Sequence, residues 1–175
     1  MKVTPTHIPD LLVLEPQVHG DERGYFYESY SLGEWKKAGL EYSFIQDNQA
    51  GSGKGILRGL HFQKHPHAQT KLVRVLSGEV YDVAVDVRSG SDTRGQCFGV
   101  ILSAENKKQL LIPRGFAHGY LVLSDFAEVT YKVDNVYALE SEGGLRYDDP
   151  ALGIAWPDIG MEPKVNERDR NWPLL

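Results

Sequence analysis

From Ile56 to Asp134 the chain is written almost entirely in β-forming residues, broken at short intervals by turns. Seven runs fit strands: 56–63, 70–77, 79–88, 96–102, 109–112, 116–123 and 127–134. Ser77-Gly78, Ser89-Gly90 and Ser124-Asp125 punctuate them, and no long helix intervenes. Many short strands at regular spacing leave a β-sandwich or a β-barrel as the architectures able to bury them. Upstream, Leu11–Leu14 reads as a short strand, Asp21–Gly24 as a polar turn and Tyr25–Tyr30 as an aromatic strand. Ser31–Leu40 is the best helix candidate, with Ser31 as cap, Glu34 three residues on and Gly39 near its end. Tyr42–Asn48 reads as a strand followed by a loose AGSGKG loop, and Pro163–Arg170 as one or two helical turns.

Size and charge narrow the function classes. The 175 residues suffice for one domain with its own core, and no repeat, low-complexity run or linker divides 1–175. The formal net charge is -5. No basic block exists to neutralise phosphates along a duplex, so a nucleic-acid partner is not expected. A few local arginines would still suffice for one small phosphorylated ligand. Cys97 is the single cysteine, which excludes an intrachain disulfide and argues against a thiolate zinc site. Beside Phe98 it reads as a small, partly buried residue. The N-terminal MKVTPTHIPDLLVLEP has no apolar run long enough for a signal peptide or a membrane span. No membrane partner is expected, and the cytoplasm is the expected location.

The chemistry-bearing side chains gather in one stretch. Arg58–Arg88, RGLHFQKHPHAQTKLVRVLSGEVYDVAVDVR, holds two β runs joined by a Ser-Gly-Glu turn and brings together His61, His65, His67, Lys71 and Asp82. Polar side chains of this kind in a strongly β-forming region point to a furnished cavity more than to a dry core. Side chains alternate along a strand, so Lys71 shares a face with Val73 and Val75 and is expected to point inward. His118 alternates with Phe116, Tyr120 and Val122 and so faces an apolar layer. Tyr131 alternates with Val129 and Val133 and points inward, where packing with a bonded hydroxyl is a tyrosine's ordinary role. His61, between Leu60 and Phe62, reads as a buried structural histidine or as a general base, since imidazole accepts a proton near pH 7 without a large shift. Asp82 either orients a histidine or ends in solvent, and His7 and His19 read as surface residues.

The spacing from Gly59 through His65, His67 and Lys71 to Gly78, with PRGFAH ending at His118, resembles the two motifs of the cupin superfamily. The fold this implies is mainly β: a double-stranded β-helix (cupin or jelly-roll) barrel with a few short helices. In metal-binding cupins the first motif supplies two histidines and a glutamate, and the second a further histidine. Lys71 stands in the glutamate position. An ammonium repels a divalent cation and has no lone pair to give it, so no metal is expected. Inside a barrel it is suited instead to an anion or a developing oxyanion.

Longer runs are more specific. GDERGYFYESY, FIQDN, LRGLHFQ, KLVRVLSGEVYDVAVDVR, LSAENKKQLLIPRGFAHGYLVLSD, Tyr131-Lys132 and ERDRNWPLL, in this order, resemble the dTDP-4-dehydrorhamnose 3,5-epimerase family from about residue 10 to 175. The resemblance implies an isomerase without cofactor that acts on dTDP-4-dehydro-6-deoxy-glucose, whose own C4 ketone acidifies the C3 and C5 hydrogens. It implies His61 as base, Asp169 as the carboxylate pairing with it, Tyr131 as acid on the opposite face and Lys71 near the C4 oxygen. His118 and Asp82 belong to the same pocket. Arg23, Glu28, Gln46, Asp47, Asn48, Arg58, Glu142 and Arg168 would contact the nucleotide or line its groove, and Tyr137 would pack on the thymine. Arg23 and Glu28 lie in a segment that in this family reaches across a homodimer.

Three points strain this mapping. Arg58 and His61 are three apart and have opposite parity on a regular strand, so both reach one pocket only if the strand bends, as Gly59 permits. Arg168 stands where many members have lysine. His65 and His67 acquire no family role and read as loop residues. The rival readings are a mono-epimerase of a related dTDP-4-keto-6-deoxy sugar, a metal-dependent cupin using His65, His67 and His118, and a non-catalytic sugar-nucleotide binding barrel.

Overall fold

The computed structural model describes residues 1–175. Its strands are β1 (Lys2–Pro5), β2 (Leu12–Glu15), β3 (His19–Asp21), β4 (Gly24–Phe26), β5 (Gln46–Gly53), β6 (Leu57–Gln63), β7 (Lys71–Ser77), β8 (Glu79–Asp86), β9 (Cys97–Ser103), β10 (Gln109–Ile112), β11 (Phe116–Val122), β12 (Phe126–Val133) and β13 (Glu142–Gly144). Two short helices, α1 (Leu32–Lys37) and α2 (Glu167–Arg170), and a 3-10 turn at Leu139–Ser141 complete it. One sheet has the order β1-β2-β10-β7-β12-β5, the other β13-β6-β11-β8-β9, and β3-β4 form a separate hairpin. This mainly β, two-sheet barrel is one of the two architectures that the strand spacing leaves open and the one that the cupin resemblance implies.

The largest apolar cluster lies between the sheets and draws Val73, Val75 and Val129 from one and Val80, Phe116 and Val122 from the other. Each sheet is also covered outside. Trp35 and Leu40 cap Leu72 and Leu111 of the six-stranded sheet, while Leu145 and Leu152 pack on Leu60, Val83 and Val85 of the five-stranded one. Burial on both faces explains why β10 and β11 carry apolar residues at consecutive positions instead of alternate ones. No helix is long and apolar enough to cross a membrane.

Several local expectations fail for identifiable reasons. The AGSG segment is not a loop: β5 runs through it, paired with β12 from Gln46↔Val133 to Gly53↔Phe126. A Cβ on Gly51 would come within 2.8 Å of the Phe126 ring, so its glycine makes room for a cross-strand aromatic. Tyr42 and Phe44 are not in a strand but pack edge-on against Trp35. The Tyr25–Tyr30 strand stops at Phe26. Ser31 occupies the cap position of α1 without a side-chain cap bond, and the Glu34 side chain pairs with Lys37 at 2.7 Å instead of closing a capping box. At the C-terminus, Asn166 caps α2 by accepting from the Asp169 N–H at 2.7 Å.

Candidate active site

The site is built around an irregularity in β6. Against β11, His61 pairs with His118 and Arg58 with Tyr120, so Gly59 and Leu60 together stand opposite Gly119 alone. This bulge resets the alternation. Leu57 and Leu60 are buried away from the cavity, whereas Arg58 and His61, three apart, both line it. Gly59 has φ +122°, and a Cβ there would lie 2.5 Å from Gly119 Cα and 2.7 Å from the His118 carbonyl oxygen, so a side chain has no place.

Asp169, fully buried on α2, locks this bulge from behind. Its Oδ2 accepts the Gly59 N–H at 3.1 Å and its Oδ1 lies 2.7 Å from His61 Nε2. Burial opposes ionisation of this carboxyl, but the hydrogen bond and charge of His61, with the Gly59 N–H, hold it below the usual carboxylate range. A carboxylate can only accept, so His61 Nε2 carries the proton and Nδ1 keeps a free lone pair. Trp172 stands edge-on to the imidazole with ring centroids 6.3 Å apart.

The opposite wall comes from the other sheet. Lys71 on β7 and Tyr131 on β12 line the cavity with His61, and Lys71 Nζ lies 5.9 Å from the Tyr131 ring centroid. The same amine makes one long contact, 3.5 Å, to the His61 carbonyl oxygen, leaving donors for a ligand. Burial pushes the Lys71 amine down to about 8, against the pull of Asp82 and Glu142. Burial likewise raises the Tyr131 phenol above its ordinary value. Deeper still, His118 Nε2 meets both oxygens of the fully buried Asp82 at 3.0 Å. Burial drives the His118 imidazole down despite that carboxylate.

Two abutting spaces of about 300 and 330 Å³ share His61, Lys71, Tyr131, Tyr137 and Glu142. Arg168 lies at the edge of one, bonded to Glu142 at 3.0 Å, while Gln46 and Asn48 line the other. Three expected binding residues are not brought in. Asp47 alternates with Gln46 and Asn48, so it turns to the other face and pairs with Lys132 at 2.8 Å. Arg23 pairs with Asp21 on the β3-β4 hairpin, and Glu28 lies beside Trp35, both outside this cavity within the chain. His67 bonds Ser141 at 2.9 Å, and His65 is exposed. No group of three or more histidine, cysteine or acidic side chains is placed to hold a metal ion.

No motif or spacing in the sequence singles out Tyr120 and Asn166, which also line the cavity, or Trp172 beside His61. Tyr120 falls on an apolar strand face, where its hydroxyl is the one available signal.

Comparison with known proteins identifies the family. The family model described as dTDP-4-dehydrorhamnose 3,5-epimerase matches residues 5–175. A dTDP-4-dehydrorhamnose 3,5-epimerase of Salmonella typhimurium is 52% identical over 176 residues, covering 100% of this chain and 96% of the relative. Two solved structures superpose closely. The Legionella pneumophila dTDP-6-deoxy-D-glucose-3,5-epimerase in complex with dTDP-4-keto-L-rhamnose has a TM-score of 0.94 and 48% identity, covering 99% of this chain and 92% of that one. The Bacillus anthracis dTDP-4-dehydrorhamnose 3,5-epimerase with TDP and PPi bound has a TM-score of 0.95 and 46% identity over 99% of both chains. The chain belongs to the dTDP-4-dehydrorhamnose 3,5-epimerase family.

Proposed function

We propose that this chain epimerises dTDP-4-dehydro-6-deoxy-D-glucose at C3 and C5 to dTDP-4-dehydro-L-rhamnose, a step of dTDP-L-rhamnose biosynthesis. One observation carries the assignment of roles: a carboxylate-held imidazole and a phenol come from opposite sheets to one cavity, with an ammonium beside both. His61 Nδ1 takes the proton from the carbon beside the ketone. The electron pair moves onto the C4 oxygen, and Lys71 meets the resulting enolate with a charge-assisted hydrogen bond. Asp169 stabilises the imidazolium and fixes its tautomer. Tyr131 then returns a proton to the same carbon from the other face, inverting it, and exchange with solvent resets both groups before the second carbon reacts. His118 and Asp82 form a hydrogen-bonded pair, and Asp82 attracts the ammonium of Lys71. No redox or group-transfer partner is required, because the substrate's ketone is the electron sink.

At the open end, Arg58, Arg168, Gln46, Asn48, Tyr137 and Glu142 hold the nucleotide. Arginine forks suit the diphosphate, and the half-exposed Tyr137 offers a face to the base. Arg23 and Glu28 act in a second copy's site across a homodimer. Supporting this, the hairpin that carries Arg23 leaves Tyr25 63% and Phe26 70% exposed, large apolar surface for a chain to leave uncovered. Sedimentation of Phe26→Asp should then show monomer where the wild type shows dimer, and an unshifted dimer would remove this interface from the proposal.

Proton NMR of the enzyme with dTDP-4-dehydro-6-deoxy-glucose in heavy water tests the reaction. Deuterium is expected at both C3 and C5. Label at one carbon only would make the chain a mono-epimerase, and no label would make it a binding barrel.

A further inference from the structure

Tyr137 stands at the cavity mouth on a segment that its own backbone does not hold. It is 55% exposed and lies between β12 and the 3-10 turn, outside any strand or helix. Neither its N–H nor its carbonyl bonds another backbone group. Its two chain neighbours are held instead by one buried side chain. Gln63, on β6 two residues beyond His61, accepts the Ala138 N–H on Oε1 at 2.7 Å and donates from Nε2 to the Val136 carbonyl at 3.0 Å. Nε2 also donates to the His67 carbonyl at 2.6 Å, in the loop between β6 and β7. Asn135 repeats the arrangement from the other side. Its Oδ1 accepts the Val136 N–H at 2.9 Å, and its Nδ2 donates to the carbonyls of Pro66 and Ala68 at 3.0 and 3.3 Å. Two amide side chains thus staple the segment around Tyr137 to the loop after β6.

Gln63 lines the cavity, yet it has no hydrogen left for a ligand. A primary amide carries two N–H donors, and both go to carbonyls here. Its chemistry is that of a brace. The Val136 carbonyl and the Ala138 N–H flank Tyr137 in the chain, so the direction of its side chain is set by bonds that Tyr137 does not make. An unbraced loop must be ordered when a ligand arrives, and that lost entropy lowers affinity. An exposed ring already held in place needs no such ordering.

We infer that Gln63 is a positioning residue for the nucleotide: it fixes Val136 and Ala138 so that Tyr137 presents a preorganised face to the base. This rests on the proposed function in taking Tyr137 as the surface on which the base packs. Along β6, His61 then acts on the sugar, while Gln63, two residues on, serves the base through another residue.

The test is a double-mutant cycle of Gln63→Met and Tyr137→Ala, read by the calorimetric Kd of dTDP, by kcat and KM for the 4-keto sugar, and by thermal melting. Methionine keeps the length of the side chain and removes all three hydrogen bonds. Tyr137→Ala should weaken dTDP binding about tenfold or more. Gln63→Met should weaken it about fivefold and raise KM similarly, with kcat within about twofold. In the Tyr137→Ala background Gln63→Met should change the dTDP Kd less than about twofold, although it lowers the melting temperature in both backgrounds, since the Ala138 N–H loses its partner in each. An equal loss of dTDP affinity with and without Tyr137 would overturn the inference, as would unchanged affinity in Gln63→Met or a fall confined to kcat. Should Gln63→Met not fold, Asn135→Ala, at the half-buried end of the same staple, takes its place in the cycle with the same pattern expected and the same outcomes against it. Tyr137→Ala binding dTDP as the wild type does would withdraw the base-packing role itself, and the inference with it. A weakened Tyr137→Ala beside an unaffected Gln63→Met counts against the inference alone.

Discussion

Replacing Asp169 by asparagine exchanges one oxygen for an NH₂ group and should silence the base without unfolding the protein. The buried Gly59 N–H needs an acceptor, which Asp169 Oδ2 now supplies at 3.1 Å. In Asp169→Asn the amide oxygen must take that role, which turns the amide N–H toward His61 Nε2. That nitrogen then has to accept, so the imidazole proton moves to Nδ1 and the lone pair facing the cavity is lost. Flipping the amide back would leave the Gly59 N–H unpaired, at about 2–3 kcal/mol, or roughly 30- to 150-fold in the competent population. Losing the carboxylate's charge beside the imidazolium removes roughly another 1.5–3 kcal/mol. Together these give a fall in kcat of roughly 10³- to 10⁴-fold, in line with the penalty for a wrong histidine tautomer in other base–carboxylate pairs. KM should change less than about threefold, because Asp169 lies behind His61 and away from the nucleotide end. The assay is the rate of solvent deuterium entry at C3 and C5 beside steady-state turnover, with a melt to show that the fold persists. An asparagine variant exchanging within tenfold of the wild type would refute the tautomer argument and with it His61 as the base.

Other perturbations follow from the same geometry. Lys71, lowered to about 8 from 10.5, binds fewer protons when folded than unfolded between those values, so its contribution to stability rises with pH across that window and is a constant penalty below it. Lys71→Met should therefore melt higher at pH 7, by a margin that shrinks toward pH 10, and a lower melting point at pH 7 would contradict the burial of the charge. In the wild type kcat/KM should decline as pH rises through about 8, and that limb should be missing from the Met variant's residual activity, itself down about 10²-fold or more. Tyr131→Phe should still exchange label but form the inverted sugar at least about 10²-fold more slowly, measured by product NMR; full turnover would dismiss the phenol as acid. Gly59→Ala forces a side chain into a left-handed position already filled by β11, and urea melts should show a loss of roughly 2–5 kcal/mol; a loss under 1 kcal/mol would mean that the bulge relaxes freely.

What could be read from residue order alone was the part encoded in alternation. Lys71 with Val73 and Val75, Tyr131 with Val129 and Val133, and His118 with Phe116 and Val122 each declare an inward face through i, i+2 spacing, and the strand spacing around them declares a two-layer β fold. Asp169, 108 residues from His61, was legible only through resemblance, since no local pattern ties the two. Tertiary structure alone decided the rest. The bulge that turns Arg58 and His61 to one side exists because two residues of β6 meet one of β11, a fact of pairing that neither strand carries by itself. Pairing with β12 likewise made a strand of glycine- and serine-rich residues that resemble a loop, and turned Asp47 away from the cavity while keeping Gln46 and Asn48 in it. Side-chain alternation is a property of consecutive residues, whereas register is settled by which distant strands together bury the most apolar surface and leave the fewest backbone groups unpaired.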